Sequence, residues 1–133
     1  KVFSGVISHL EKGGLFIFDF WYGPAVLTDL PKVKVKKLEN EHIKITRITE
    51  SNLNSQLNTV DVEFDVLLTD KESGRSIENK EIHTMRYFFD PELELLCEKH
   101  GFDIEAKYQW LSDSEPSFGS WNVVWVLKGK SFK

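Results

Sequence analysis

Only one cysteine, Cys97, occurs in the 133 residues, and one methionine, Met85. A single thiol excludes an internal disulfide framework and a cysteine metal cluster, and it points to a reducing, cytoplasmic setting. His9, His42, His83 and His100 are scattered, with no acidic or cysteine partner at ligand spacing, so no metal site is expected. Basic residues are not in excess either. The 17 Lys and Arg are mixed along the chain with 21 Asp and Glu, for a formal charge of −4, and no basic stripe exists to meet phosphates. Nucleic acid is therefore excluded as an expected partner. No signal-peptide pattern is read in these residues, and no apolar run approaches the ~18 residues that read as a bilayer span, so no membrane partner is expected. An initiator methionine is also lacking: the first residue is Lys1, and the chain is expected to be a piece of a longer protein.

What is present suits one globular domain, with 41% hydrophobic and 13% aromatic residues. Phe3, Val6, Ile7 and Leu10 recur at i, i+3, i+4 and i+7, which predicts a helix over Val2 to Glu11 that Gly13 can close in the left-handed conformation. Leu15 to Phe18 has no polar residue, and this predicts a strand covered on both faces. Gly23-Pro24 and Pro31 bracket a segment able to hold one helical turn.

An antiparallel pattern follows. Val33 and Val35 alternate with lysines, and Ile43 and Ile45 alternate with His42 and Lys44. Ile48 then falls out of phase, which predicts a bulge or a strand with two partly covered faces. Val60, Val62, Phe64, Val66 and Leu68 share one parity and Asp61, Glu63 and Asp65 the other, so one face packs and one meets water. Asp70 to Gly74 offers a hairpin turn, and a return strand is expected from about Ser76 to Phe89.

The end of the chain returns to α/β grammar. Asp90-Pro91-Glu92 predicts a helix start with Asp90 as the cap, Leu93, Leu96, Cys97 and His100 form its inner stripe, and Gly101 ends it with Phe102 folding back. Ile104, Ala106, Tyr108 and Trp110 alternate with polar residues, as in an edge strand. Val123 to Leu127 is apolar throughout and predicts an inner strand, antiparallel to its predecessor.

This order of elements resembles the C-terminal half of a class I S-adenosylmethionine-dependent methyltransferase, in which the last strand slots antiparallel between the fifth and sixth. The segment His9-Leu10-Glu11-Lys12-Gly13-Gly14-Leu15-Phe16-Ile17-Phe18-Asp19 is similar to the family's L-x-P-G-G-x-h-h-h-D, with Lys12 where proline is frequent. Phe88 to Leu93, with Leu96 and Gly101-Phe102, is similar to its F-x-x-x-E-L-x-x-L-x-x-x-x-G-F helix. The resemblance implies an α/β fold: residues 1–31 and 88–133 form the C-terminal half of a Rossmann-like sheet, and 32–87 an inserted antiparallel sheet serving as substrate lid or dimerisation element. It further implies a parent enzyme that methylates a small molecule with S-adenosylmethionine. The family's glycine-rich turn after the first strand and its ribose-binding carboxylate are both missing. The fragment alone is therefore expected to bind no cofactor and to be inactive.

Ligand-facing residues of a doubly wound sheet lie at strand C-terminal ends, here Asp19 to Tyr22. Trp21 and Tyr22 are the substrate candidates, against the plain alternative of aromatic packing, and Asp19 is either a proton acceptor or a cap for the turn at Gly23. If the inserted sheet is a lid, Arg47 or Arg86 can pair with a substrate carboxylate or phosphate, although arginines on strands are mostly solvated. His83 is a weaker candidate for a base, and Cys97 reads as packing, not as a nucleophile. No catalytic residue is assigned. The exposed edge of Leu15 to Phe20 is expected to give a homodimer, either by pairing with its symmetry mate or by exchange of the helix Val2 to Glu11 between chains. The alternative to the enzyme fragment is a non-enzymatic α+β ligand-binding or dimerisation module.

Overall fold

The stripe of Phe3, Val6, Ile7 and Leu10 packs on the core through α1 (Val2–His9) in the computed structural model, which describes residues 1–130. The helix stops short of Gly13. Leu10 is already extended, and the tight turn Glu11 to Gly14, closed by the Gly14 N–H on the Glu11 carbonyl at 2.8 Å, is where Gly13 takes its φ of 74°. Next come β1 (Leu15–Tyr22), the short α2 (Gly23–Thr28), β2 (Lys34–Glu39), β3 (Ile43–Asn54), β4 (Thr59–Asp70) and β5 (Ser76–Phe88). The chain then forms α3 (Asp90–His100), β6 (Phe102–Gln109) and β7 (Asn122–Gly129). Two compact units result: Lys1–Asp29 with the chain from Tyr87 onward, and Leu30–Arg86.

In the first unit β7 lies between β1 and β6, antiparallel to both, as its unbroken apolar run requires. The end of β1 also pairs in parallel with the end of β5, Trp21 opposite Tyr87 and Tyr22 opposite Phe88. One face of this sheet carries Phe16, Phe18 and Phe20 beside Leu127, Trp125 and Val123. Phe3, Val6 and Ile7 of α1 and Leu93 and Cys97 of α3 cover it. Burying each such side chain is worth roughly 1.5–3 kcal/mol, which makes this the unit's main source of stability. The opposite face is not covered as the sequence suggested: Leu15 is 53% and Ile17 60% exposed. Both long helices pack on the same side, so the polar-free run Leu15 to Phe18 has a single dry face.

Phe89, not Asp90, precedes α3 as its cap residue, and no side chain caps the helix; Asp90 falls inside the first turn. The C-terminus follows the sequence closely, with Gly101 at φ 76°, its N–H on the Cys97 and Glu98 carbonyls, and Phe102 2% exposed. A bulge between Ile104 and Ala106 divides β6. Ile104 therefore shares a face with Lys107, opposite Leu127 and Trp125, and not with Ala106 as simple alternation predicts.

The second unit is an antiparallel meander in the order β2-β3-β4-β5. Val60 and Val62 are buried and Phe64, Val66 and Leu68 half-buried on the expected face, while Asp61 is exposed. Glu63 and Asp65 are half-buried on the other face. Across the strands Asp65 meets Lys80 at 3.4 Å, and Thr84 donates a 2.6 Å hydrogen bond to Asp61. Pairing runs through Ile48 without a register shift, so no bulge forms there; Ile48 takes the second face, between Val35 and Asp65. Gly74, at φ 68°, completes the hairpin after Asp70, whose carboxylate accepts from the Ser73 N–H and hydroxyl.

Candidate functional site

Trp21 and Tyr22 end β1, where open α/β sheets present ligand-facing residues. Consecutive strand residues point to opposite faces, so the two candidates serve different surroundings. Register across three strands sets Tyr87, Trp21 and Asn122 in one row on one face. Trp21 is half-buried, with the Trp121 ring edge-on at 5.3 Å. Tyr87 is wholly buried, its ring 5.9 Å from Phe89, and burial pushes its hydroxyl above the ordinary value. A side chain at Gly23 has no room, because a Cβ there would stand 2.5 Å from the Phe89 ring.

Tyr22 belongs to the covered face with Phe20 and opens on a cleft of about 410 Å³. Asp90, Lys107, Glu105 and Glu115 also line this cleft. Lys107 is its electrostatic centre: the ammonium donates to Asp90 at 2.9 Å and to Glu94 at 2.8 Å, and stands 4.2 Å from the centre of the Trp125 ring. Burial works against its charge, but the hydrogen bonds to Glu94 and Asp90 outweigh it and hold the ammonium above its ordinary value. Burial, then the Asp90 carboxylate, raise the Tyr22 hydroxyl. The cleft is a saturated ion-pair site. Among the described residues that line it the one cation, Lys107, already has two carboxylates.

The other candidates divide between the units. Arg47 lies in the second unit with its guanidinium 5.4 Å from the centre of the Phe64 ring. Arg86 is the last residue of that unit, opposite Thr59. His83 is exposed and contacts Glu81 at 3.2 Å and the Phe64 ring at 5.5 Å. Asp19 is exposed, on the same face as Trp21 and opposite Val124. Cys97 is 1% exposed within the core, and burial pushes its thiol up to about 11. Among the described residues no cluster of His, Cys, Asp and Glu could hold a metal ion.

Sequence reasoning missed Asn122 and Lys107. Asn122 joins Trp21 only through a register spanning about a hundred residues, and Lys107 turns inward only because of the bulge. No signal in the sequence marked the latter, because the alternation through β6 is regular and the bulge shows only in the strand pairing.

Four of these groups, Tyr22, Tyr87, Cys97 and Lys107, hold their protons more tightly in the folded unit than is ordinary. The stability this contributes is complete below their ordinary values and is lost as pH rises through the raised ones. The melting temperature is expected to fall from about pH 9 to 11, the window of the Cys97 thiol, and Cys97→Ala to flatten that decline. At neutral pH a thiol reagent is expected to label Cys97 only after unfolding; rapid labelling of the native chain would contradict this burial.

The glycines test whether S-adenosylmethionine fits. Gly13 and Gly14 form a turn that leads into a strand and opens no helix, and Phe89 fills the space over Gly23, so neither provides a backbone cradle. These three glycines therefore offer S-adenosylmethionine no place for close backbone approach.

No family model matches the chain, and no curated protein matches it. Solved structures do. A S-adenosylmethionine-dependent methyltransferase from Clostridium acetobutylicum superposes with a TM-score of 0.76 at 18% identity, over 97% of this chain and 50% of that one. CalS10, an amino pentose methyltransferase from Micromonospora echinaspora, gives 0.69 at 16%, over 95% and 48%. The sugar N-methyltransferase KedS8 from Streptoalloteichus sp gives 0.73 at 17%, over 97% and 47%. The chain thus spans about half the length of the structures it matches, and its fold is that of the C-terminal part of the class I S-adenosylmethionine-dependent methyltransferases, with an antiparallel sheet inserted.

Proposed function

We propose that this chain is the substrate-side part of a cytoplasmic S-adenosylmethionine-dependent methyltransferase acting on a small molecule, with the donor held by residues outside these 133. The observation that carries the reading is β7, antiparallel between β1 and β6, in a fold that matches about half of each of several methyltransferases. Trp21, at the ligand end of β1, is the substrate contact proposed for the first unit, while Tyr22 turns to the opposite face; Arg47 and Arg86, in the second unit, stay separate candidates for an anionic group. An amino pentose and a sugar nitrogen are named for two of the fold neighbours, and an amino sugar is the first acceptor to test. The protein's part in such a reaction is to hold donor methyl and acceptor in line and close together. We further propose that the isolated chain forms a homodimer through the edge of β1.

The full-length gene product is expected to transfer one methyl group from S-adenosylmethionine to an amino sugar, read by mass spectrometry. The 133-residue chain alone is expected to give no heat of binding when titrated with the donor. Micromolar donor binding by this chain would refute the division of labour; no methylation of any amine or hydroxyl acceptor by the full-length protein would favour a non-enzymatic binding or dimerisation module.

A further inference from the structure

Strand pairing in the second unit sets three cations and a hydroxyl at the corners of one block. Lys36 stands directly opposite Arg47 and Lys34 directly opposite Thr49, and residues two apart on a strand share a face. All four side chains therefore leave the same side of the β2–β3 pair. Paired strands lie about 4.8 Å apart and alternate residues about 7 Å, so long side chains at the four corners can close on a single oxyanion. Lys34, Lys36 and Arg47 are exposed and Thr49 is half-buried. The Phe64 ring, one strand further in, holds the Arg47 guanidinium at 5.4 Å from its centre.

Like charges directly opposite each other weaken a sheet, yet Lys36 and Arg47 are kept so without a counter-charge. Among the described residues Lys34, Lys36 and Arg47 make no ion pair. The one carboxylate in the same two rows, Glu81, lies two strands beyond Thr49 and is engaged by Asn79 at 3.0 Å and His83 at 3.2 Å. Glu39, the one carboxylate of β2, contacts Lys71 at 3.4 Å. Lysines on an edge strand guard against aggregation. That role does not account for Arg47, because β3 is paired on both sides. In a chain of net charge −4, three uncompensated positive charges in one block call for a partner.

We propose that this block is an anion subsite for the phosphate group of a small phosphorylated molecule. The Arg47 fork donates two parallel hydrogen bonds to two phosphate oxygens, Lys34 and Lys36 donate to the same group from the edge, and the Thr49 hydroxyl donates one more. A carboxylate, with two oxygens in one plane, does not meet donors at all four corners. Three cations are too few and too local for the extended backbone of a nucleic acid. The subsite belongs to the second unit alone, and it stands whether or not the parent protein transfers methyl groups.

The test is a titration of the 133-residue chain with inorganic phosphate at neutral pH and a constant ionic strength of about 0.15 M, followed through its backbone amide resonances. Saturable shifts are expected at the amides around Lys34, Lys36, Arg47 and Thr49. Affinity is expected to fall about tenfold or more in Arg47→Lys, which keeps the charge and loses the fork, and in Lys36→Gln. Both positions are exposed, and unchanged amide resonances elsewhere report in the same spectra that each variant is folded. Absence of a saturable shift in the wild type would overturn the proposal. So would equal affinity of Arg47→Lys and the wild type, which would mean diffuse attraction by charge alone, or equal affinity for acetate. Tighter binding to phosphatidic acid vesicles than to free phosphate would move the ligand to a membrane surface and overturn its assignment to a small molecule.

Discussion

Trp125→Ala is expected to lower the stability of the first unit by about 3–5 kcal/mol. The indole is fully buried at the centre of β7, with ring centres of Phe18 at 6.4 Å and Phe20 at 5.9 Å and the Lys107 ammonium at 4.2 Å. Truncating a buried tryptophan costs about 3–5 kcal/mol, because the surroundings collapse only partly into the space left. Domains are stable by only about 5–15 kcal/mol, so one such loss consumes much of the margin. The site is also poorly able to relax, since β7 is hydrogen-bonded on both edges. Trp125→Phe keeps most of the volume, discards an indole N–H that has no partner, and weakens the cation–π contact by about 1 kcal/mol. Its denaturation midpoint is expected to stay near that of the wild type. Denaturation followed by near-ultraviolet circular dichroism separates the two variants, and a Trp125→Ala midpoint equal to the wild type would show that the cluster on the covered face is not what holds the unit together.

The second large effect concerns assembly. The wild-type chain is expected to sediment as a dimer and Ile17→Lys as a monomer. Along Leu15 to Phe20, β1 has β7 on one side and, among the described residues, no strand on the other; its pairing with β5 begins only at Trp21. That edge borders exposed Leu15 and Ile17. Unpaired backbone beside apolar side chains is a template for a second chain, and a lysine at the edge is the device by which natural sheets prevent it. Ile17 is already 60% exposed, so the substitution removes association at little cost in stability. Phe16→Asp would not be informative, because Phe16 packs against Phe3, Phe18 and Phe102 and its loss would unfold the unit. Sedimentation equilibrium decides the matter: a wild-type monomer at high concentration would rule out the edge as an interface.

Elements written in strong local patterns were legible in the sequence. The parity of Val60 to Leu68, the Gly74 hairpin, and the stripe and left-handed stop of α3 all rest on neighbours a few residues apart, where periodicity carries the information. Distant geometry was not legible. The run Leu15 to Phe18 reads as doubly buried, yet apolarity on both parities cannot say whether both faces are covered. The bulge in β6 leaves no composition signal, so the inward turn of Lys107 toward Asp90 and Glu94 was hidden. Trp21 and Tyr22 were singled out together because the rule for ligand ends of strands is positional; it does not separate the two faces. Tyr87 and Asn122 join Trp21 through strand pairing alone.

The pairing of Phe18 with Trp125 also sets a schedule for synthesis. Strands β2, β3 and β4 each bond to their immediate successor through short turns, and hairpins of that kind close in microseconds. β1 must wait for a partner more than a hundred residues downstream. At the usual pace of elongation that wait lasts roughly 5 to 20 s, during which Phe16, Phe18 and Phe20 have emerged without β7 beside them. Slowing translation between β1 and β7 is expected to lengthen the time for which these aromatic side chains can aggregate.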